Sequence, residues 1–210
     1  MIIAREVRIY LLILLLSAIV LKVYLGWIPA LIVLGLTLPI AYIFRDPACK
    51  VPSAPLAIVS PANGEVIAVD QLEDPWLKRN AVRIRIKMSL WNVHVLRSPI
   101  EGKIKNQWTE KGDEPHIQRR YTYWIQTDEQ DDIVYSVATG NFAPFIRIDL
   151  RCGERTGQGQ KSGYLYFSGI VDVLVPEFSR IQLNPGDTVS CGSTVLAQII
   201  HDNNSLLKAS

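Results

Sequence analysis

The sequence predicts a mainly β domain held behind an N-terminal two-helix transmembrane hairpin. Three observations predict it. Lys22 is the only charged residue from Ile9 to Phe44, the chain after Pro47 breaks into short β-type runs, and those runs contain two pairs of self-similar turns. At 210 residues the chain has room for one ordinary domain and an anchor. The expected division is 1–46 for the hairpin and 47–210 for the β domain.

The apolar stretch is too long for one span. A bilayer core of about 30 Å takes roughly 17–25 helical residues, whereas Ile9–Phe44 as one helix would run to about 54 Å. It divides at Gly26-Trp27-Ile28-Pro29, where Gly suits a turn and Pro suits the first turn of a new helix. The expected spans are roughly 9–25 and 29–44. Arg5 and Arg8 precede the stretch, Arg45 and Lys50 follow it, and the turn is uncharged. The positive-inside bias then puts both flanks and the β domain on the cytoplasmic side of the inner membrane. A signal peptide would be shorter and would end in a small-residue cleavage site, which this sequence lacks. A shallow re-entrant hairpin is the other arrangement open to it. Ala30, Gly35 and Ala41 on the second span would permit close approach of a neighbouring helix.

After Pro47, Ala81–Lys87 alternates apolar and basic residues as a half-buried strand does. Ile133–Ala138, Tyr164–Phe167, Ile170–Val175 and Thr194–Ile200 also read as strands, and no long amphipathic helical period occurs. Ser60-Pro61-Ala62-Asn63-Gly64-Glu65-Val66 and Ser98-Pro99-Ile100-Glu101-Gly102-Lys103-Ile104 share the form S-P-x-x-G-x-[VI]. Gly153 to Gly159 and Gly186 to Gly192 share G-[ED]-x-x-x-x-G. Paired turns of this kind predict a flattened β-sandwich of the barrel-sandwich or lipoyl-like type.

Net charge is +2 and no basic run is interleaved with aromatics, so nothing indicates nucleic acid. Cys49, Cys152 and Cys191 form no CxxC pair, which leaves neither a disulfide framework nor a zinc site. His116 and His201 read as surface residues without metal-ligand spacing. Asp128-Glu129-Gln130-Asp131-Asp132 reads as a solvated hairpin tip, since a calcium loop needs a central Gly. Arg119-Arg120 with Tyr121, Tyr123 and Trp124 is either a strand with one aromatic face or a lipid-headgroup contact.

Four segments, taken in order, resemble the short, membrane-attached type of phosphatidylserine decarboxylase. Phe44-Arg45-Asp46-Pro47 looks like that family's F-R-D-P, and Ser60–Val66 like its S-P-A-D-G-x-V. Asn92-Val93-His94-Val95-Leu96-Arg97-Ser98-Pro99 looks like its N-V-H-V-N-R-x-P. Gly153-Glu154 through Gly159-Gln160 and Gly163, followed by Phe167-Ser168-Gly169-Ile170-Val171-Asp172-Val173, looks like its closing G-E-R-x-x-x-G-Q-x-x-G … F-G-S-R-V-D-V. The resemblance implies a decarboxylase-type β domain. It also implies a self-cleavage in which an Asp, a His and a Ser turn the Ser into a pyruvoyl group, the electron sink for decarboxylating phosphatidylserine.

Residue by residue, the resemblance is incomplete. His94 stands at the His position, Asn63 at the Asp position and Gly169 at the Ser position. Asn carries no charge to stabilise an imidazolium, and the same change in a serine-protease triad lowers the rate about 10⁴-fold. Leu96 and Tyr166 stand where the family has Asn and Arg. Two serines could substitute. Ser168 is one residue early, which on a strand turns its hydroxyl to the opposite face. Ser193, in Gly192-Ser193-Thr194, falls inside the second glycine turn and reads as structural. His94 reads as a packed histidine.

The expected function is therefore a non-catalytic family member, a structural or accessory subunit that stabilises a larger membrane complex. It would have no cofactor, and its partners would be the lipid bilayer and other integral membrane proteins. The alternative is an active pyruvoyl-dependent decarboxylase making phosphatidylethanolamine through Ser168 or Ser193. A lipoyl-type carrier needs a Lys in an Asp-Lys-Ala setting, and neither Lys103 nor Lys161 has one.

Overall fold

A computed structural model describes residues 5–43, 45, 49–112, 114–140 and 145–200. Two helices come first, α1 (Arg5–Leu25) and α2 (Trp27–Ile43). The expected four-residue turn contracts to Gly26 alone, at a φ of 93°. That left-handed conformation strains any residue with a Cβ, so a one-residue junction requires glycine. Pro29 then falls inside the first turn of α2, where a missing N–H costs nothing. The helices pack side by side, with Leu11, Ala18, Ala30 and Thr37 buried and most other apolar side chains exposed. The Ser17 and Thr37 hydroxyls donate back to carbonyls of their own helices, Leu14 at 2.7 Å and Val33 at 2.8 Å. Arg8–Leu25 is long and apolar enough to cross a membrane, and Trp27–Tyr42 is apolar but shorter.

Of the F-R-D-P segment only Arg45 is described. Its Nη1 donates to the Tyr42 carbonyl at 3.1 Å and its guanidinium lies 4.1 Å over the Tyr42 ring, so a cation closes the end of α2. Phe44, Asp46 and Pro47, the expected boundary at 46/47 and His201 lie outside the described residues.

Fourteen strands follow among the described residues. They are β1 (Ala57–Val59), β2 (Gly64–Glu73), β3 (Asn80–Met88), β4 (Val95–Arg97), β5 (Gly102–Lys111), β6 (Ile117–Gln126) and β7 (Asp132–Gly140), then β8 (Ile146–Ile148), β9 (Arg155–Thr156), β10 (Lys161–Leu165), β11 (Gly169–Pro176), β12 (Arg180–Ile181), β13 (Thr188–Val189) and β14 (Val195–Gln198). A curled sheet runs β13-β2-β3-β11-β7-β6-β5-β9, and two small sheets run β1-β14-β12 and β4-β10-β8. The alternation in β3 holds: Val82, Ile84, Ile86 and Met88 face the core, while Arg83, Arg85 and Lys87 do not. Ile58, Leu96, Leu165 and Leu196 from the small sheets complete that core.

The two turn pairs form one interlocked device that occurs twice. The Ser60 hydroxyl donates to the Ala62 carbonyl at 2.7 Å, and the Ser98 hydroxyl to Ile100 at 2.8 Å. The Gly192 N–H donates to the Ser60 carbonyl at 2.7 Å, and the Gly159 N–H to Ser98 at 2.9 Å. Gly186 N–H meets the Val66 carbonyl at 2.7 Å where Gly153 N–H meets Ile104 at 2.8 Å. Gly153, Gly159, Gly186 and Gly192 all have positive φ.

Two expected strands are shorter than read. The Tyr164–Phe167 strand ends at Leu165, because Phe167 turns left-handed at a φ of 70°. The Thr194–Ile200 strand is Val195–Gln198. Arg119–Trp124 lies in β6 without a single aromatic face: Tyr121 and Tyr123 pack with the core, and Trp124 Nε1 donates to Asp132 Oδ1 at 2.7 Å. The acidic segment is a hairpin tip, exposed at Asp128 and Glu129 and turned at Gln130, although Asp131 is buried.

On the sheet's other face a buried ionic network joins four strands. Asp172 is 2% exposed and accepts from Arg85 Nε at 2.8 Å and from Arg120 Nη1 at 2.7 Å. Arg85 also reaches Glu114 at 2.8 Å, and Arg120 reaches the Ser136 hydroxyl at 3.3 Å. Removing the carboxylate would leave two desolvated guanidinium groups. Asp172→Ala is predicted to cost about 3–5 kcal/mol, measured as a fall in the denaturant midpoint. A change below about 0.5 kcal/mol, as at an ordinary surface site, would show that water reaches the arginines.

Candidate functional site

His94 enters β4 and is fully buried. Its carbonyl accepts the Leu165 N–H at 2.9 Å, which ties it to β10. Its ring stacks on Tyr164 with centroids 6.2 Å apart, and Tyr164 meets Tyr166 edge-on at 4.9 Å. The histidine thus lies in an aromatic stack that includes Tyr166.

Asn63 ends the first S-P turn. Its Oδ1 accepts the Cys191 N–H at 3.3 Å, and its carbonyl accepts Asn92 Nδ2 at 3.2 Å. An amide therefore pins the second glycine turn against the first. Ser193 sits in that turn as expected: its N–H and that of Thr194 both donate to the Ser190 carbonyl at 3.1 Å. The buried Cys191 thiol donates to the Pro61 and Val95 carbonyls at 3.2 and 3.4 Å.

Gly169 begins β11, with Met88 on one side and Thr139 on the other. A Cβ there would lie 2.5 Å from the Ala138 carbonyl oxygen and 2.7 Å from Leu165 Cδ2. The space for a side chain is closed by backbone. Ser168 lies outside the strand, in contrast to the expectation, because the left-handed Phe167 has already broken it. The strand-face objection to Ser168 therefore lapses. Its side chain is exposed, with Oγ beside Gly140.

The sequence-predicted residues are linked through shared neighbours: Cys191 touches Asn63 and the Val95 carbonyl beside His94, and Leu165, bonded to the His94 carbonyl, lies against Gly169. Asn63 joins the Ser193 turn, His94 joins Tyr164 and Tyr166, and Gly169 with Ser168 joins the end of β7. Beneath them Tyr135 is wholly buried, and burial raises its phenol well above the ordinary range. Burial, with Tyr121 nearby, pushes the Tyr123 phenol up to about 12. A cleft lined by Arg45, Asn63, Glu65, Lys87, Ser89 and Asn92 opens beside this region. No group of three or more metal-ligating side chains occurs among the described residues. A pyruvoyl group at position 169 does not fit, since Gly169 supplies no hydroxyl and the Cβ space is filled.

The family model described as phosphatidylserine decarboxylase matches residues 36–197. The chain belongs to the phosphatidylserine decarboxylase family. A phosphatidylserine decarboxylase proenzyme of Nitrosomonas eutropha is 33% identical over 189 residues, covering 86% of this chain and 88% of the relative. One of Nitrosomonas europaea is 34% identical over 181 residues, 82% of this chain and 84% of the relative. One of Ralstonia nicotianae is 33% identical over 172 residues, 78% and 80% of the two chains. No solved structure matches.

The ionic network on the sheet's other face is a feature to which the motifs assigned no role, although Asp172 lies within one of them. A carboxylate inside the apolar run Ile170–Val175, facing the basic alternation of Ala81–Lys87, was the available signal. The packing at Gly169 gives a direct test. Gly169→Ser is predicted to lose about 1–3 kcal/mol through overpacking, whereas Ser168→Ala at an exposed position stays within about 0.5 kcal/mol. Equal thermal midpoints for the two variants would show that β11 has room for a side chain.

Proposed function

We propose that this family member is a membrane-anchored, non-catalytic protein that serves as a structural or accessory subunit of a larger membrane complex. The observation that carries this reading is the closed, hydroxyl-free position at Gly169. Asn63 bound to a turn and His94 in an aromatic stack support it, since neither arrangement depends on a proton relay. The anchor is the α1–α2 hairpin, spanning the inner membrane with the β domain on the cytoplasmic side. Apolar side chains exposed all round both helices support that placement. The partners are the bilayer and other integral membrane proteins. Gly35 of α2 has open space where a Cβ would stand and so offers a close-approach point, while Ala30 is already buried.

A second reading has its own support. On it, the chain is a phosphatidylserine decarboxylase that makes phosphatidylethanolamine and cleaves itself at a displaced serine. The relatives' names favour it. So does the backbone: Ser168 is exposed and directly follows Phe167, a bulky residue held left-handed, and strain of this kind gathers at reactive peptide bonds.

Intact mass separates the two. The non-catalytic reading predicts one species near 23.6 kDa from purified full-length protein, and no CO2 release from phosphatidylserine vesicles. Two fragments, the smaller beginning at residue 168 or 193, together with CO2 release, would establish the second reading. Topology has a separate check. A cysteine at Leu25 should be modified by an impermeant reagent from the periplasmic side; modification from the cytoplasmic side alone would contradict a spanning hairpin.

A further inference from the structure

The connection from β3 to β4 places its largest apolar side chains at its tip. Asn92 N–H closes on the Ser89 carbonyl at 3.1 Å, so Leu90 and Trp91 are the two central residues of a tight turn. Trp91 is 63% exposed and Leu90 40%. Such positions ordinarily hold Gly, Pro, Asn, Asp or Ser, which suit turn geometry and water. A tryptophan there buries little within the protein, and its hydrophobic area calls for a contact outside it.

The surroundings indicate which contact. Ser89 and Asn92, the two ends of the turn, line the same cleft as Arg45. Arg45 closes α2, so the turn lies next to the point where the hairpin ends. Lys87, also in that cleft, adds an exposed second cation. An indole on a turn whose two ends line a cleft with Arg45, Lys87 and the single acid Glu65, at the end of an apolar helix, has the chemistry of the headgroup boundary. There the ring sits among glycerol and acyl carbons, and Arg and Lys reach lipid phosphates.

We propose that the Leu90–Trp91 turn is a second membrane contact. It enters the headgroup–acyl boundary beside the hairpin, with Arg45 and Lys87 on lipid phosphates, and holds the Asn63 cleft against the lipid surface. The inference rests on the membrane-spanning reading of the hairpin proposed above and is independent of whether the chain is catalytic. It differs from that reading in assigning the β domain its own lipid contact, so the domain does not merely swing from a tether.

Tryptophan quenching tests it with the full-length protein in vesicles of phosphatidylcholine and phosphatidylglycerol, with and without bromine on the acyl chains. The chain has five tryptophans, of which Trp27 lies in the hairpin. In a Trp27→Phe protein, brominated lipid should quench a component that is lost in Trp27→Phe/Trp91→Phe. Equal quenching in those two proteins would overturn the loop contact. The Trp91→Phe protein, with Trp27 retained, reports the hairpin separately. Quenching there but none from Trp91 sinks this inference alone; quenching from neither sinks the hairpin reading and this one with it. Trp91 is a largely exposed side chain, so its replacement by Phe leaves the core intact.

Discussion

The position of nearly everything in the β domain depends on the reciprocal hydrogen bonding between the S-P turns and the glycine turns. Each turn supplies what its counterpart lacks: a carbonyl from the serine, an N–H from a left-handed glycine. Neither turn could be buried alone, since unpaired backbone groups away from water each cost about 1–3 kcal/mol. Once the turns are joined, the strands leaving them are fixed in direction. β2 and β5 depart into the large sheet, β4 and β10 bring His94 to Tyr164, and Asn63 is left facing Cys191.

That dependence explains how a family scaffold accommodates Asn63 and Gly169 without disturbance. Asn63 makes its turn contact through an amide oxygen, a role that needs an acceptor and no charge. Gly169 pairs with both neighbouring strands through backbone alone. The fold draws its stability from the apolar core and from the Asp172 network, to which neither Asn63 nor Gly169 contributes a side chain.

What could be read from the sequence followed the strength of each local pattern. β3 was legible because regular alternation marks a strand with one buried face, and β7 and β11 because short, nearly continuous apolar runs mark strands buried on both faces. β2 and β5 were not, because a register shift interrupts each of them, at Val66/Ala68 and Ile104/Asn106, and puts the apolar residues out of phase, whereas β6 was legible only as one of two readings of Arg119–Trp124. The left-handed Phe167 carried no signal, since bulky residues seldom adopt that conformation. The turn repeats were visible as motifs, but not that they bond to each other. Of the site, the motif positions could be assigned from the sequence, whereas the closed space at Gly169 depends on Ala138, a residue on another strand.

The pairing of β1 with β14 joins Ala57–Val59 to Val195–Gln198, nearly the two ends of the β domain. Contacts of such high sequence separation are slow to form, because the intervening loop must be closed before they return any stability. During synthesis the first S-P turn waits for Thr194, whose carbonyl receives the Ser60 N–H. The domain therefore reaches its native state only after β14 has left the ribosome. Until then its long apolar strands are open to wrong pairing, and an early stop that removes β14 takes away the closing partner of β1 along with a strand.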